Sequence, residues 1–129
     1  LSDLASAATA RTNLGLTSLA SASLYTSADQ TFAANTTTTV AHGLGLVPKI
    51  WKATIRCKTS EFGYSVGDEI SVDFVGGDGT SLANAGVDAT NFYFILYPAG
   101  LRVLNKGTPS VGSAVTPANW ALVFRAIAL

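Results

Sequence analysis

The chain has 129 residues, the length of one domain with one hydrophobic core. Charged residues are 12% of it against roughly 25% in ordinary globular domains, while 48% are hydrophobic and the net charge is zero. With no Lys/Arg run, no apolar stretch of about 20 residues and no basic leader at the N-terminus, this composition argues against phosphate-directed nucleic-acid binding, a membrane span and a secretory signal.

The composition changes near residue 25. Residues 1–24 are dominated by Leu, Ala, Ser and Thr, with Asp3 and Arg11 the charged residues. Ser2 or Asp3 can cap a helix over about residues 3–12, and Asn13 or Gly15 can end it. Leu1, Leu4 and Ala8 fall on one narrow stripe. A helix this short needs a partner, and copies of itself around an axis would supply one. Residues 1–24 are therefore expected to form a neck, its second half irregular, and residues 25–129 a β-rich body. The surface, poor in charge, suits burial against other copies. The chain starts at Leu1 and is expected to continue upstream.

Thr36 to Thr39 and Val40 predict a strand within 30–41, closed by the His42-Gly43-Leu44-Gly45 turn. Residues 49–58 alternate, with Trp51, Ala53, Ile55 and Cys57 facing a core and Lys52, Thr54, Arg56 and Lys58 facing water. Residues 59–68 read as a loop, 69–75 as a strand and 76–90 as a second loop rich in Gly, Asp, Asn and Ser. Residues 91–97 are apolar on both faces, which predicts a strand covered on both sides. A short strand at 101–105, a connection over 106–116 and a strand at 119–128 complete the chain. Short strands between turn residues predict an all-β fold, a β-sandwich.

Few residues offer chemistry. Cys57 is the lone cysteine, which excludes an intrachain disulfide and a multi-cysteine metal site; it reads as a small buried hydrophobe. His42, the lone histidine, reads as a hydrogen-bonding group of its own turn, and a three-fold metal site built on it lacks a His-x-His pair. Asp68 and Glu69 would point apart on a strand, whereas Asp73, Asp78 and Asp88 surround the Gly-rich loop and could converge, though solvated or turn-capping roles suit them better. Gly76 to Gly79 is neither a calcium loop nor a P-loop. Phe62 and Tyr64, in a loop beside Glu61, are candidate sugar-stacking rings, and Asp78 and Asn84 are candidate contacts in the second loop. No catalytic, metal-binding or cofactor-binding residue is assigned, and no cofactor is expected.

Two segments resemble phage tail-fibre proteins. Residues 1–16, Leu-Ser-Asp-Leu-Ala-Ser-Ala-Ala-Thr-Ala-Arg-Thr-Asn-Leu-Gly-Leu, resemble a string found in side-tail-fibre and tail-collar proteins. Residues 40–48, Val-Ala-His-Gly-Leu-Gly-Leu-Val-Pro, with the following strand, Gly63 to Glu69, Thr116 to Trp120 and Phe124 to Ala126, resemble the terminal domain of fibres in phages of alphaproteobacteria. The resemblance implies a parallel homotrimer in the virion tail fibre. It would be joined through upstream sequence to other tail or baseplate proteins and would touch a bacterial surface glycan or envelope protein. It supplies no fixed receptor-binding residues. Two other readings are a tailspike-like glycan-degrading enzyme and a structural virion module without a ligand.

Overall fold

The computed structural model describes residues 7–14, 23–72 and 83–128. Within them, a helix α1 (Ala7–Asn13) precedes nine strands: β1 (Ser23–Thr26), β2 (Thr36–Ala41), β3 (Ile50–Cys57), β4 (Glu69–Ser71), β5 (Ala83–Val87), β6 (Asn91–Leu96), β7 (Arg102–Leu104), β8 (Val111–Ala114) and β9 (Trp120–Ala128). A single 3-10 turn, Pro117–Asn119, leads into β9. Every strand pairing is antiparallel, and the fold is all-β. The strands form a four-stranded sheet in the order β1-β9-β3-β4, a three-stranded sheet in the order β2-β6-β5 and the β7-β8 hairpin.

Alternation fixes which faces meet. From β3, Ala53, Ile55 and Cys57 are buried; from β9, Trp120, Leu122, Phe124 and Ala126; from β6, Phe92, Phe94 and Leu96. The Phe92 ring stacks on Phe124 across the two sheets, centroids 5.0 Å apart, and on Tyr25 of β1 at 5.5 Å. His42 and Trp51 meet the same ring, and Phe32 packs edge-on to Phe94. Phe92 is thus the point where the sheets lock together, with large apolar areas buried on both sides of it.

The sheet edge beside β9 continues past β1. Gln30 exchanges backbone hydrogen bonds with Leu122, Ser27 donates its N–H to the Phe124 carbonyl, and the buried Ser27 hydroxyl accepts the Phe124 N–H at 3.0 Å. Among the described residues, every buried side-chain polar atom has a hydrogen-bond partner.

Several expectations are corrected. Thr54 does not face water: it is fully buried between its neighbours Val123 and Ser71, beneath the side chains of Glu69 and Arg125. The strand at 91–97 is not covered on both sides in the single chain, because Ile95 is 43% exposed and Tyr97 48% exposed. The loop over 76–90 contains β5, and the connection over 106–116 contains β8. β5 (Ala-Asn-Ala-Gly-Val) has weak intrinsic strand preference. It forms because β6 offers it a complete ladder and because the Tyr93 ring lies over Gly86, where an added Cβ would sit 2.2 Å from the ring. Of the neck stripe, Leu1 and Leu4 lie outside the described residues and Ala8 falls within α1.

Candidate binding surface

The loop that was expected to display two rings is instead braced. Glu61 and Tyr64 exchange backbone hydrogen bonds around Phe62-Gly63, and both central residues have positive φ (52° and 79°), as a two-residue hairpin with matching twist requires. Phe62 is a bulky residue in the left-handed region, a conformation its half-buried packing against the core must hold in place. Tyr64 is half-buried too: its ring meets Trp120 edge-on at 5.6 Å, and its hydroxyl donates to the Leu104 carbonyl at 2.9 Å. Neither ring is a free platform.

Glu61 ties this turn to the head of β9. It accepts hydrogen bonds from the Thr116 N–H and hydroxyl and, at 2.6 Å, from the indole N–H of the buried Trp120. Burial pushes the Glu61 carboxyl up, but the bonds from Thr116, Trp120 and Asn119 outweigh it and hold the carboxyl below its ordinary value. Asp68 accepts from Lys106 and from the Ser65 N–H, which also lower it. Lys106 in turn donates its backbone N–H to the Phe62 carbonyl, so the β3–β4 loop and the β7–β8 hairpin brace each other.

The remaining chemistry-bearing groups are also committed. The Leu44 N–H donates to His42 Nδ1, which places the ring proton on Nε2, 3.0 Å from the Asp88 carbonyl. His42 therefore stitches its own turn to the β5–β6 turn. Asp88 caps that second turn by accepting from the Thr90 and Asn91 N–H groups and the Thr90 hydroxyl, which hold its carboxyl low. Glu69 makes a bidentate pair with Arg125 at 2.7 and 2.8 Å; that pair, opposed by burial and helped by Thr54 and Arg56, lowers its carboxyl. Asp29 pairs with Arg56. The Cys57 thiol is buried and donates to the Thr59 carbonyl. No cluster of three or more metal-ligating side chains occurs among the described residues. Asp3, Asp73 and Asp78 lie outside them.

Asn84 is described, on a strand rather than in a loop. It is exposed on the outer face of β5, in register with Ile95 of β6, which pairs in turn with Thr37 of β2. The next row of that face is Thr39, Tyr93 and Gly86. None of these residues is Asp, Glu, Lys, Arg or His. At the end of this face a groove of about 300 Å³ opens, with Asn35, Thr36 and Thr37 on one wall and Ile95 and Tyr97 on the other, completed by Leu96 and Pro98. Asn35 has φ 58°, a left-handed conformation that Asn tolerates in a turn. No side-chain hydrogen bond occupies Asn35, Thr37, Asn84 or the Tyr97 hydroxyl among the described residues.

The sequence reading passed over this groove because its walls are about sixty residues apart and only register brings them together. The available signal was the outward parity of Tyr93, Ile95 and Tyr97, set against the charge-free Thr36 to Thr39 run. No protein-family model, no curated protein and no solved structure matches the chain.

Proposed function

We propose that this chain is the distal, receptor-binding part of a phage-tail-fibre-type protein: a β-sandwich knob with a short helical neck, working as a homotrimer and attaching a virion to a bacterial surface glycan or envelope protein without enzymatic turnover. The observation that carries the reading is the outer face of the three-stranded sheet. Its backbone is held in a continuous antiparallel ladder, it carries no Asp, Glu, Lys, Arg or His, and around a groove it offers exposed apolar groups and hydroxyl and amide groups unbonded among the described residues. Such a face is equipped to bind. Among the described residues, His42, Cys57, Glu61 and Glu69, which could do covalent or acid–base chemistry, are instead tied into the fold. The tail-fibre resemblance of residues 1–16 and 40–48 supplies the setting, the trimer and the link to upstream tail proteins.

The test is adsorption. Fluorescently labelled chain is mixed with a panel of alphaproteobacterial strains, and extracted surface polysaccharide is sized before and after incubation. Saturable binding to some strains with unchanged polysaccharide length is the expected result. Shortened polysaccharide would replace attachment with glycan degradation, and binding to no strain would overturn attachment. Sedimentation of the chain at micromolar concentration should give the trimer mass; a stable monomer or dimer would remove the trimer.

A further inference from the structure

We infer that the groove between β2 and the end of β6 is a subsite for one or two neutral sugar units of a surface glycan, an assignment that rests on reading the chain as a receptor-binding module. The groove walls carry no Asp, Glu, Lys, Arg or His, and neither do the adjoining rows Thr37–Ile95–Asn84 and Thr39–Tyr93–Gly86. An anionic or cationic ligand entering there would give up hydration without gaining a counter-charge, whereas a neutral one pays no such penalty.

The walls are also amphipathic at the scale of a sugar ring. Tyr97 and Ile95 are both more than two-fifths exposed and, with Pro98, offer apolar surface on which the C–H face of a pyranose can lie. Thr37, Asn35 and the neighbouring Asn84 offer hydroxyl and amide groups not already engaged by the fold. A volume of about 300 Å³ stands at the small end of ligand sites, room for one or two rings rather than a folded peptide.

Finally, the groove is organised before any ligand arrives. Leu96 is buried beneath it, six consecutive residue pairs register β2 on β6, and the Thr36 hydroxyl donates to the Ala33 carbonyl across the turn that presents Asn35. Little ordering remains to be done on binding, which favours affinity; the small contact area still keeps a single site weak, and repetition on each copy of an assembly would add avidity.

The experiment uses the described chain labelled with nitrogen-15 and four probes: the methyl pyranosides of glucose, galactose and mannose, with methyl glucuronide as the charged counterpart. The inference expects saturable shifts of the Thr37, Ile95 and Tyr97 amides with at least one neutral glycoside, at dissociation constants of about 1 mM or weaker. Tyr97→Ala and Thr37→Val should each weaken that binding about tenfold while leaving the rest of the spectrum in place. It is overturned by the absence of saturable shifts up to roughly 100 mM, by preference for the glucuronide, by shifts that both variants leave unchanged, or by self-association through this face that Thr37→Lys abolishes. The two readings fail separately. Cell adsorption unaffected by the groove variants removes the sugar subsite and leaves attachment standing. Glycoside binding in the groove by a chain that adsorbs to no strain keeps the subsite and removes attachment.

Discussion

The outer face of the four-stranded sheet carries the ion pairs Asp29–Arg56 and Glu69–Arg125 over the buried Thr54, and ends in an apolar row of Leu24, Ile127 and Ile50. The outer face of the three-stranded sheet carries threonine, asparagine, tyrosine and isoleucine. Both sheets bury their inner faces in one core, so the contrast comes from what each outer face does. The chain has sixteen formally charged side chains, eight of each sign. It places several of them where they hold β3, β4 and β9 together and close the loops around Glu61 and Asp68. It leaves the other face to neutral groups. A chain this sparing with charge separates a face braced by ion pairs from a face left neutral.

The largest expected effect tests where the two sheets are alike. Phe92→Ala removes the ring that stacks on both Phe124 and Tyr25, and should cost about 3–5 kcal/mol. Urea unfolding measures the loss, and hydrogen exchange should show amides of both sheets losing protection together. Loosening confined to β2, β5 and β6 would mean that the sheets are not one cooperative unit.

Next comes the bracing end. Glu61→Leu leaves the buried Trp120 indole N–H without an acceptor and should cost about 2 kcal/mol, while Glu61→Gln keeps an acceptor and should cost about half of that. Equal losses for the two variants would show that the hydrogen bond to Trp120 is not the reason for the effect.

Acid should act on the same contrast. Glu61, Asp68, Glu69 and Asp88 all have carboxyls held below their ordinary values in the folded chain. A depressed folded value means that the contribution to stability is fully present above the unfolded values of about 3.9 for Asp and 4.3 for Glu, and is lost as pH falls from there through the folded values. Urea midpoints should therefore drop below about pH 4. Amides of β3, β4 and the Glu61 turn should lose protection before those at the β2–β6 centre. The reverse order would contradict the division of labour between the faces.

The smallest effects probe the outer faces directly. Arg125→Met breaks the bidentate pair over Thr54 and should cost about 0.5–1 kcal/mol, reduced by the partial exposure of both partners. Thr39→Lys on the neutral face should change stability by no more than about 0.5 kcal/mol. Thermal melts of the two variants make the comparison, and a larger loss from Thr39→Lys would show that the neutral face supports the fold.

Strong alternation was readable without coordinates. β3 turns Ala53, Ile55 and Cys57 inward as expected, because a period of two leaves one choice of face, and the strand expected at 119–128 is β9, although Ala121 and Val123 on its other parity are buried too. His42 and Cys57 were legible as structural groups for a related reason: each stood alone, with no second residue to make a reactive pair. β5 was not legible, since Ala83 to Val87 has turn-like composition and takes its extended form from β6. Thr54 misled because parity alone cannot see that an ion pair covers it. Phe62 and Tyr64 misled because a ring in a loop reads as exposed until its surroundings are known: the core against which Phe62 is half-buried, and Trp120 and the Leu104 carbonyl for Tyr64. The groove was hidden for the deepest reason: Asn35, Thr37, Ile95 and Tyr97 become neighbours only once β2 and β6 are in register.

β9 lies between β1 and β3, so one of the first described segments and one of the middle ones are both held by the most C-terminal strand. During synthesis, neither can complete its sheet until Trp120 to Ala128 has left the ribosome. Until then, the emerging chain presents β1 and β3 with open hydrogen-bonding edges to every neighbouring nascent chain. A frameshift or stop before Trp120 would remove the centre of the four-stranded sheet rather than trim its margin. Chaperone capture or proteolysis of such truncated products would then act as quality control on the two sheets, with β9 as its checkpoint.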